Sequence, residues 1–557
     1  MVGGAGKKWK TLQHKGVLFH PEYEPHGQSI YYDGQLISLP KEAEEFITYY
    51  VNPRYDKYRN DRFNKNFFKD LLKLLPQELR DLIANPSLLD LKPIKTYVVN
   101  SMEERKETRD RKTKLDRENE KTEKEKLIGS YKTSIVDGVE QAIDNYIVEP
   151  PSIFIGRGDH PLSGRIKPRI YPEDITLNVG KDMAIPVPFV LGSIRDHAWG
   201  EIVSDSTLEW IACWYNPVTQ KPNYARFGRR SSFKMRSDMN KYNLARLLKK
   251  KIKKIREQNE INMNSTNETT RQLSTALFLI DRLALRVGNE KTSDQADTVG
   301  VSTLRVGNIS FGGDHTIKLD FLGKDSVRYV NKVMVPMIVY NNLQSFASKG
   351  EKKKNDQLFD QIQSDTLNQY IKRFMKKLTS KVFRTYNASH LMQIELKKIR
   401  QQFANYTGSD RYQKIKYMYD MANLKVAKLC NHQKILSSTG KQSTEKTEGM
   451  IDELKKKLKQ LQKQKKELIE RNKKTTSINK KIETMTKKIK LMKNKKLLQT
   501  EQQQLSAGTS KINYIDPRIT VAFVKSMDLM DRIGGFFNES QQNQFKWALE
   551  IDAEYKF

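Results

Sequence analysis

The sequence contains few cysteines and no long apolar run. Cys213 and Cys430 are its two cysteines, which excludes a disulfide-stapled scaffold and any zinc module built on cysteines. The most apolar stretch, residues 183–194, is short and holds two prolines, whereas a membrane-spanning helix needs about 20 apolar residues. The first ten residues lack the apolar core of a signal peptide. These absences predict an intracellular protein without a membrane span, in a reducing compartment.

Motifs for nucleotide and metal chemistry are also missing. Neither G-x-x-x-x-G-K-[ST] nor H-E-x-x-H occurs. The glycine pair Gly156 and Gly158 is followed by Pro161, where a dinucleotide-binding fold needs a helix-opening glycine. We therefore predict no cofactor: no ATP, no dinucleotide and no metal.

Acidic residues are scarce relative to basic ones. The 557 residues include 66 Asp+Glu and 100 Lys+Arg, which gives a formal net charge of +34. A polyanion is the favoured partner. Nucleic acid is the first interpretation, while an anionic membrane surface or a lysine-rich solvated surface stays open. The charge is concentrated in residues 441–500, where 20 Lys+Arg and 7 Asp+Glu leave a net charge of +13.

That basic segment has a regular apolar pattern. Apolar residues recur at spacings of three and four from Ile451 to Leu468 and again from Ile478 to Met492, with TTS at 475–477 between the two runs. Such spacing is typical of heptads, and the break predicts an antiparallel helical hairpin. The hairpin is either a basic lever lying beside DNA or a solvated coiled coil that joins two domains.

The remaining pattern predicts an α+β protein of several domains. We expect a first domain over 1–228 with mixed helices and strands and a charged helix near 101–126. A mainly helical domain follows over 229–435, then the coiled-coil linker over 436–507 and a small helical domain over 508–557.

Five residues stand at the ends or turns of predicted elements. Each has an ordinary structural explanation, such as a surface ion pair, a solvated turn, a helix-dipole contact or a packing role. Together they could form a phosphoryl-transfer site. They are Arg286 at the end of a predicted apolar helix over 273–286, Lys324 at a predicted hairpin tip, Arg384 after a predicted helix over 367–378, His432 after a predicted helix over 417–430, and Tyr514 before the Asp516-Pro517 turn.

These residues lie in segments that resemble the eukaryotic type IB DNA topoisomerases. The segments are ALRVGNEK (284–291), DFLGKDSVRY (320–329), KVFRTYNAS (381–389), LCNHQK (429–434) and GTSKINYIDPR (508–518). Further similar segments, HKGVLFHPEYEP near the N-terminus and YIVEPPSIFIGRGDHP at 146–161, follow the family's order. The resemblance extends over nearly the whole chain from about residue 8.

The resemblance implies a catalytic domain of the tyrosine-recombinase type behind a mixed α/β cap. It implies that Tyr514 attacks a DNA phosphate, leaving a 3′-phosphotyrosyl bond and a free 5′-hydroxyl, without ATP or metal. In that mechanism Arg286, Arg384 and His432 contact the phosphate oxygens and Lys324 protonates the departing oxygen. The implied partner is supercoiled double-stranded DNA, clamped by a monomer in the nucleus.

Four further positions match DNA-proximal residues of that family, namely Arg157, Asp325, Lys381 and Asn513. Turn stabilisation and ion pairing remain open as explanations for them.

Two rival functions share some of these features. A tyrosine recombinase would usually carry a histidine where Lys381 stands and would lack the linker before Tyr514. A non-catalytic DNA-binding scaffold would need only the charge.

Overall fold

The structure is a computed structural model that describes residues 6–83, 85–292, 294–433 and 438–557. Internal contacts divide the chain into two compact units. The first runs to Ser237 and includes Lys291–Asp297, and the second comprises Asp238–Glu290 and Thr298–Phe557. The four predicted domains are a finer division than this one, so their boundaries stay predictions.

A mixed sheet organises the first unit. Its seven strands lie in the order β1-β5-β6-β12-β11-β9-β10, antiparallel except for the parallel pair β9 and β10. β11 lies in the apolar segment 208–215, and it is buried along most of its length. The strands of this unit are β1 (Leu12–His14), β2 (Ile30–Tyr32), β3 (Gln35–Ile37), β4 (Leu89–Asp90), β5 (Thr133–Val136), β6 (Val139–Asp144), β7 (Ser152–Ile153), β8 (Ile166–Lys167), β9 (Thr176–Asn178), β10 (Glu201–Val203), β11 (Trp210–Tyr215) and β12 (Pro222–Phe227).

The helices of the first unit enclose an aromatic core. Tyr50 stacks on Phe67 with ring centroids 4.2 Å apart, and both rings are buried with Phe63. The helices are α1 (Lys41–Tyr50), α2 (Asp61–Leu74), α3 (Gln77–Leu82), α4 (Lys92–Arg111) and α5 (Lys114–Ile128).

The single long helix predicted near 101–126 is wrong, because α4 and α5 share this segment. Thr113 starts α5 with a capping box, in which its hydroxyl accepts from the Asp116 amide and the Asp116 carboxylate accepts from the Thr113 amide. A capping box satisfies amides that a continuous helix would bond internally, so it separates the two helices at this point.

A buried histidine in β1 makes the first unit sensitive to acid. Nδ1 of His14 accepts the Gly16 amide at 3.0 Å, so the ring proton lies on Nε2 and is donated to the Asn178 carbonyl at 2.8 Å. Burial lowers the pKa of His14 from 6.5 to about 4, although the bond to Asn178 opposes this shift. Between these pH values, His14 therefore binds a proton in the unfolded chain but not in the folded unit.

We expect the free energy of unfolding of the first unit to fall as the pH falls from 6.5 to about 4. Above pH 6.5 it should not depend on the titration of His14. The loss is about 3 kcal/mol at its acid limit. His14→Gln should flatten the change, because its amide can donate to Asn178 and accept from Gly16 without titrating. Thermal unfolding midpoints of both proteins across this pH range test the expectation. Parallel curves for the two proteins would contradict it.

The second unit is mainly helical. The central helix is α10, which packs against α7, α11 and α15. The elements, with α6 crossing the division at Ser237, are α6 (Ser232–Met263), α7 (Glu268–Leu283), β13 (Ile309–Phe311), β14 (Thr316–Leu322), β15 (Arg328–Met334), α8 (Met337–Ser348), α9 (Ser364–Phe374), α10 (Ser380–Phe403), α11 (Arg411–Leu429), α12 (Ser438–Glu470), α13 (Thr476–Gln504), α14 (Ala507–Asn513), α15 (Pro517–Ser526) and α16 (Glu539–Gln544).

α12 and α13 form the predicted helical hairpin. They lie antiparallel, with Lys496 paired to Glu448 at 2.5 Å and the Gln503 amide donating to the Gly440 carbonyl at 3.0 Å. The apolar positions of the predicted pattern are buried or half-buried between them, while most lysines are exposed. The hairpin therefore presents its positive charge to solvent.

Among the described residues, no helix is both long and apolar enough to cross a membrane.

Candidate active site

Arg286 lies just beyond the end of α7. The prediction of a helix through Arg286 is wrong at its end, because α7 stops at Leu283 and Ala284 adopts a left-handed conformation with φ 51°. The chain then pairs with a neighbouring segment, where the Val301 amide donates to the Arg286 carbonyl at 2.9 Å. Gly288 and Gly300 allow this approach, since a Cβ on Gly300 would lie 2.3 Å from the Gly288 Cα.

Arg384 holds that left-handed turn in place. It lies in the second turn of α10 and is buried, and its Nε and Nη2 donate to the Ala284 carbonyl at 3.0 and 2.5 Å. Its Nη1 is also buried but has no hydrogen-bond partner within the described part of the chain. A buried charged donor without a partner is costly unless a ligand supplies an acceptor. Nη1 is therefore suited to an anionic oxygen.

Tyr514 lies at the end of α14, beside Arg384. Its amide donates to the Ser510 carbonyl at 3.0 Å, and its carbonyl accepts from the buried Ser389 hydroxyl at 3.0 Å. The Arg384 guanidinium carbon lies 5.5 Å from the centre of the Tyr514 ring. The half-buried ring packs against the core of the unit.

The charges around Tyr514 favour its ionised form. Burial by itself raises the pKa of the phenol, but the positive charges of Arg286 and Arg384 outweigh burial and bring the pKa below 10.0. Every other described tyrosine whose pKa is displaced from 10.0 has it raised, chiefly by burial, Tyr329 and Tyr419 among them. Tyr514 is thus the phenol that this structure prepares for ionisation.

His432 is a neutral neighbour of Tyr514. It follows α11, and its ring centre lies 5.2 Å from that of Tyr514. Burial, and after it the charges of Arg384 and Arg286, lowers the pKa of His432 to about 3. Its Nδ1 lies 2.7 Å from the Ser510 hydroxyl, and its buried Nε2 has no hydrogen-bond partner among the residues that the structure describes. At neutral pH the ring carries one proton and can donate once.

Lys324 lies at the tip of the predicted hairpin, between β14 and β15. The Gly323 amide donates to the Val327 carbonyl at 2.8 Å, which closes the turn, and Asp325 has a positive φ of 67°. The side chains of Lys324 and Asp325 are both exposed. An exposed lysine on a short turn can reach a bound substrate because few buried contacts have to be broken.

One cavity of about 160 Å³ collects most of these groups. Its lining includes Arg286, Lys324, Arg384 and His432, together with Asp325. Tyr514 contacts two of its lining residues, Arg384 and His432, through its ring. The second unit therefore brings all five predicted site residues to one place.

The other predicted DNA contacts are distributed differently. Lys381 is exposed in the first turn of α10. Asn513 is also exposed, and its side-chain amide donates to the Thr509 carbonyl at 3.1 Å. Arg157 is exposed in a loop of the first unit.

Sequence reasoning did not identify Ser389, Ser510 or Cys430 as parts of this site. Ser389 and Ser510 are fully buried and hold the backbone of Tyr514, and their only signal in the sequence is a place in the same short segments as Arg384 and Tyr514. Cys430 lines the cavity, but burial raises the pKa of its thiol to about 11. That thiol is therefore a poor nucleophile beside Tyr514.

The arrangement is chemically suited to phosphate transfer with a tyrosine as the attacking group. Two arginines and a neutral histidine surround the phenol, and a lysine stands at the rim. Among the described residues, no cluster of His, Cys, Asp and Glu could hold a metal ion. Donors of this kind stabilise the negative charge of a phosphoryl transition state.

Comparison with known proteins agrees with that class. Residues 7–227 match the DNA binding fragment of eukaryotic DNA topoisomerase I, residues 230–465 match its catalytic core, and residues 486–557 match a C-terminal topoisomerase domain. DNA topoisomerase 1 beta of Arabidopsis thaliana is 38% identical over 572 residues, which cover 100% of this chain and 60% of that protein. DNA topoisomerase 1 of Homo sapiens is 36% identical over 573 residues, covering 99% of this chain and 72% of that protein.

The chain belongs to the eukaryotic DNA topoisomerase I family. It spans 60% of the length of the Arabidopsis relative.

Proposed function

We propose that this protein relaxes supercoiled DNA as a type IB topoisomerase. The observation that carries the proposal is the position of the Tyr514 ring against Arg384 and His432, which line one cavity with Arg286 and Lys324, in a chain of this family. An ordinary tyrosine has a pKa near 10 and is about one part in a thousand ionised at pH 7. The two arginines increase that fraction and leave the phenolate next to donors for a phosphate.

The reaction is an exchange of esters. Tyr514 loses its phenol proton to solvent, its oxygen attacks a backbone phosphorus, and the bond from phosphorus to the 5′-oxygen breaks. Arg286, Nη1 of Arg384 and Nε2 of His432 donate to the non-bridging oxygens. Lys324 gives a proton to the departing 5′-oxygen. The strand rotates about its partner. The 5′-hydroxyl then attacks the phosphorus and returns its proton to Lys324, while the bond from phosphorus to the Tyr514 oxygen breaks and the backbone is restored.

The phosphotyrosyl ester keeps the energy of the broken phosphodiester. Religation therefore needs no nucleotide hydrolysis. Proton transfer by Lys324 assists the departing oxygen, as a metal ion does in metal-dependent nucleases.

We propose that the second unit has the tyrosine-recombinase type of catalytic fold, and that the protein acts as a monomer clamped around duplex DNA in the nucleus. Arg157, Asp325, Lys381 and Asn513 are proposed DNA contacts.

The deciding experiment is relaxation of a negatively supercoiled plasmid in EDTA without ATP. Type IB chemistry predicts a ladder of relaxed topoisomers, and trapping with detergent should leave protein on the 3′ end of the nick. Protein on the 5′ end would exclude this mechanism. A recombinase would join strands of two different duplexes instead, and a scaffold would bind the plasmid without changing its linking number.

We propose that α12 and α13 form a coiled-coil linker whose lysines lie beside the DNA. Removing most of residues 441–500 and rejoining the ends is expected to retain cleavage, because no predicted catalytic residue lies there. It should reduce the salt dependence of DNA binding, since each lost phosphate contact lowers the slope by about 0.9. Binding measured from 50 to 200 mM salt tests this. An unchanged slope would make the hairpin only a spacer.

A further inference from the structure

The two ring nitrogens of His432 have different surroundings. Nδ1 lies 2.7 Å from the Ser510 hydroxyl oxygen, whereas the buried Nε2 has no hydrogen-bond partner among the described residues. The ring lines the cavity that also contains Arg286 and Arg384. One nitrogen is thus bound to the protein frame, and the other is left for a ligand.

Ser510 is fixed in position relative to both His432 and the nucleophile. It is fully buried in α14. Its carbonyl accepts the amides of Tyr514 and Ile515, each at 3.0 Å. A hydrogen bond from the Ser506 amide to the His432 carbonyl, at 2.6 Å, ties the same two segments together. The hydroxyl of Ser510 is therefore held against Nδ1 by several independent contacts.

The direction of the bond between Ser510 and His432 decides what His432 can do. A neutral imidazole carries one proton, on either nitrogen. If the hydroxyl donates to Nδ1, the ring proton lies on Nε2, which can then donate a hydrogen bond to a phosphate oxygen. If Nδ1 donates to the hydroxyl, Nε2 presents a lone pair, which a phosphate oxygen repels.

The groups facing His432 do not fix this choice by themselves. Arg286 and Arg384 attract a lone pair on Nε2 when the cavity is empty, and Cys430 and Tyr514 are the other ionisable neighbours. A bound phosphate reverses that preference, because its oxygens need a donor. A hydroxyl can rotate to donate, and so it stabilises the donor form of Nε2 once phosphate is present.

We propose that Ser510 is a positioning residue whose hydroxyl donates to Nδ1 of His432 and holds the ring proton on Nε2, facing the phosphate. This inference rests on the proposed function, because it assigns the phosphate to the same cavity. Ser510 itself touches no reacting atom and acts through His432. Removal of such a partner from a metal-binding histidine typically costs about 10- to 100-fold in activity, and we expect the same scale for His432.

The test is a double-mutant cycle on single-turnover DNA cleavage. Ser510→Ala is expected to slow cleavage about 10- to 100-fold with unchanged DNA affinity. Ser510→Thr keeps the hydroxyl and should recover most of that loss. In a His432→Gln background, Ser510→Ala should cost nothing more, because glutamine has no tautomer to hold. Ser389→Ala is the matched control, since this buried hydroxyl contacts the Tyr514 backbone and not His432, and its effect should persist in that background.

A direct measurement keeps the proposal testable if the alanine variant folds poorly. Nitrogen NMR of protein labelled at histidine, bound to uncleaved duplex, should show Nδ1 of His432 without a proton and Nε2 with one. His432→Gln identifies the signal by its loss. A proton on Nδ1 in the DNA complex, or a full Ser510→Ala effect in the His432→Gln background, would overturn the inference. Failure of the wild type to form any covalent adduct would instead refute the proposed function.

Discussion

Replacement of Tyr514 by phenylalanine is expected to lower the rate of DNA cleavage by roughly 10⁴-fold or more, the scale of loss when an enzyme loses its nucleophile. The variant lacks one oxygen atom, and without it no bond to phosphorus can form. The ring keeps its contacts with the core, His432 and Arg384. Folding and DNA affinity should therefore be preserved, so the loss isolates the chemical step.

The measurement is the yield of covalent protein–DNA adduct from a duplex labelled on the cleaved strand, with affinity measured separately. Tyr340→Phe is the matched control, because Tyr340 is a half-buried tyrosine of the same unit whose hydroxyl donates to the Gly312 carbonyl, away from the cavity residues. The control should form adduct at the wild-type rate. Adduct formed by the Tyr514→Phe protein would show that another residue is the nucleophile.

Local patterns in the sequence predict some of the individual elements of the second unit. The hairpin tip predicted at Lys324 is the turn between β14 and β15. Spacings of three and four predicted the hairpin of α12 and α13. These features depend on contacts between residues near one another in the chain, so the sequence pattern carries them directly.

The contacts that assemble the site connect residues far apart in the sequence. Arg384 reaches the Ala284 carbonyl across 100 positions, and Ser510 reaches His432 across 78. No periodicity signals such contacts. The end of α7 was misplaced for the same reason, because alanine has high helix propensity and a left-handed Ala284 depends on a tertiary partner. The family resemblance brought the five residues together, and their geometry needed the folded chain.

Arg384 has two roles that a single substitution should reveal together. Nε and Nη2 hold the Ala284 carbonyl, and Nη1 is left for phosphate. Arg384→Lys supplies one ammonium in place of this fork, so it cannot serve both acceptors. We expect cleavage to fall about 10²- to 10³-fold, as for loss of one donor to a transition-state anion. We also expect about 1–3 kcal/mol less stability from the unsatisfied carbonyl.

Two matched variants separate these roles. Arg282→Lys changes an exposed arginine in the last turn of α7 and should leave cleavage and stability nearly unchanged. Ala284→Gly keeps the carbonyl and suits a φ of 51°, so it should preserve activity. Single-turnover cleavage and thermal unfolding are measured for all three proteins.

If Arg384 only supported the α7 turn, the Arg384→Lys defect would be the same on a duplex whose scissile phosphate carries a neutral methyl group. If Arg384 neutralises the phosphate, the defect should shrink on that substrate, because the charge it stabilises is absent.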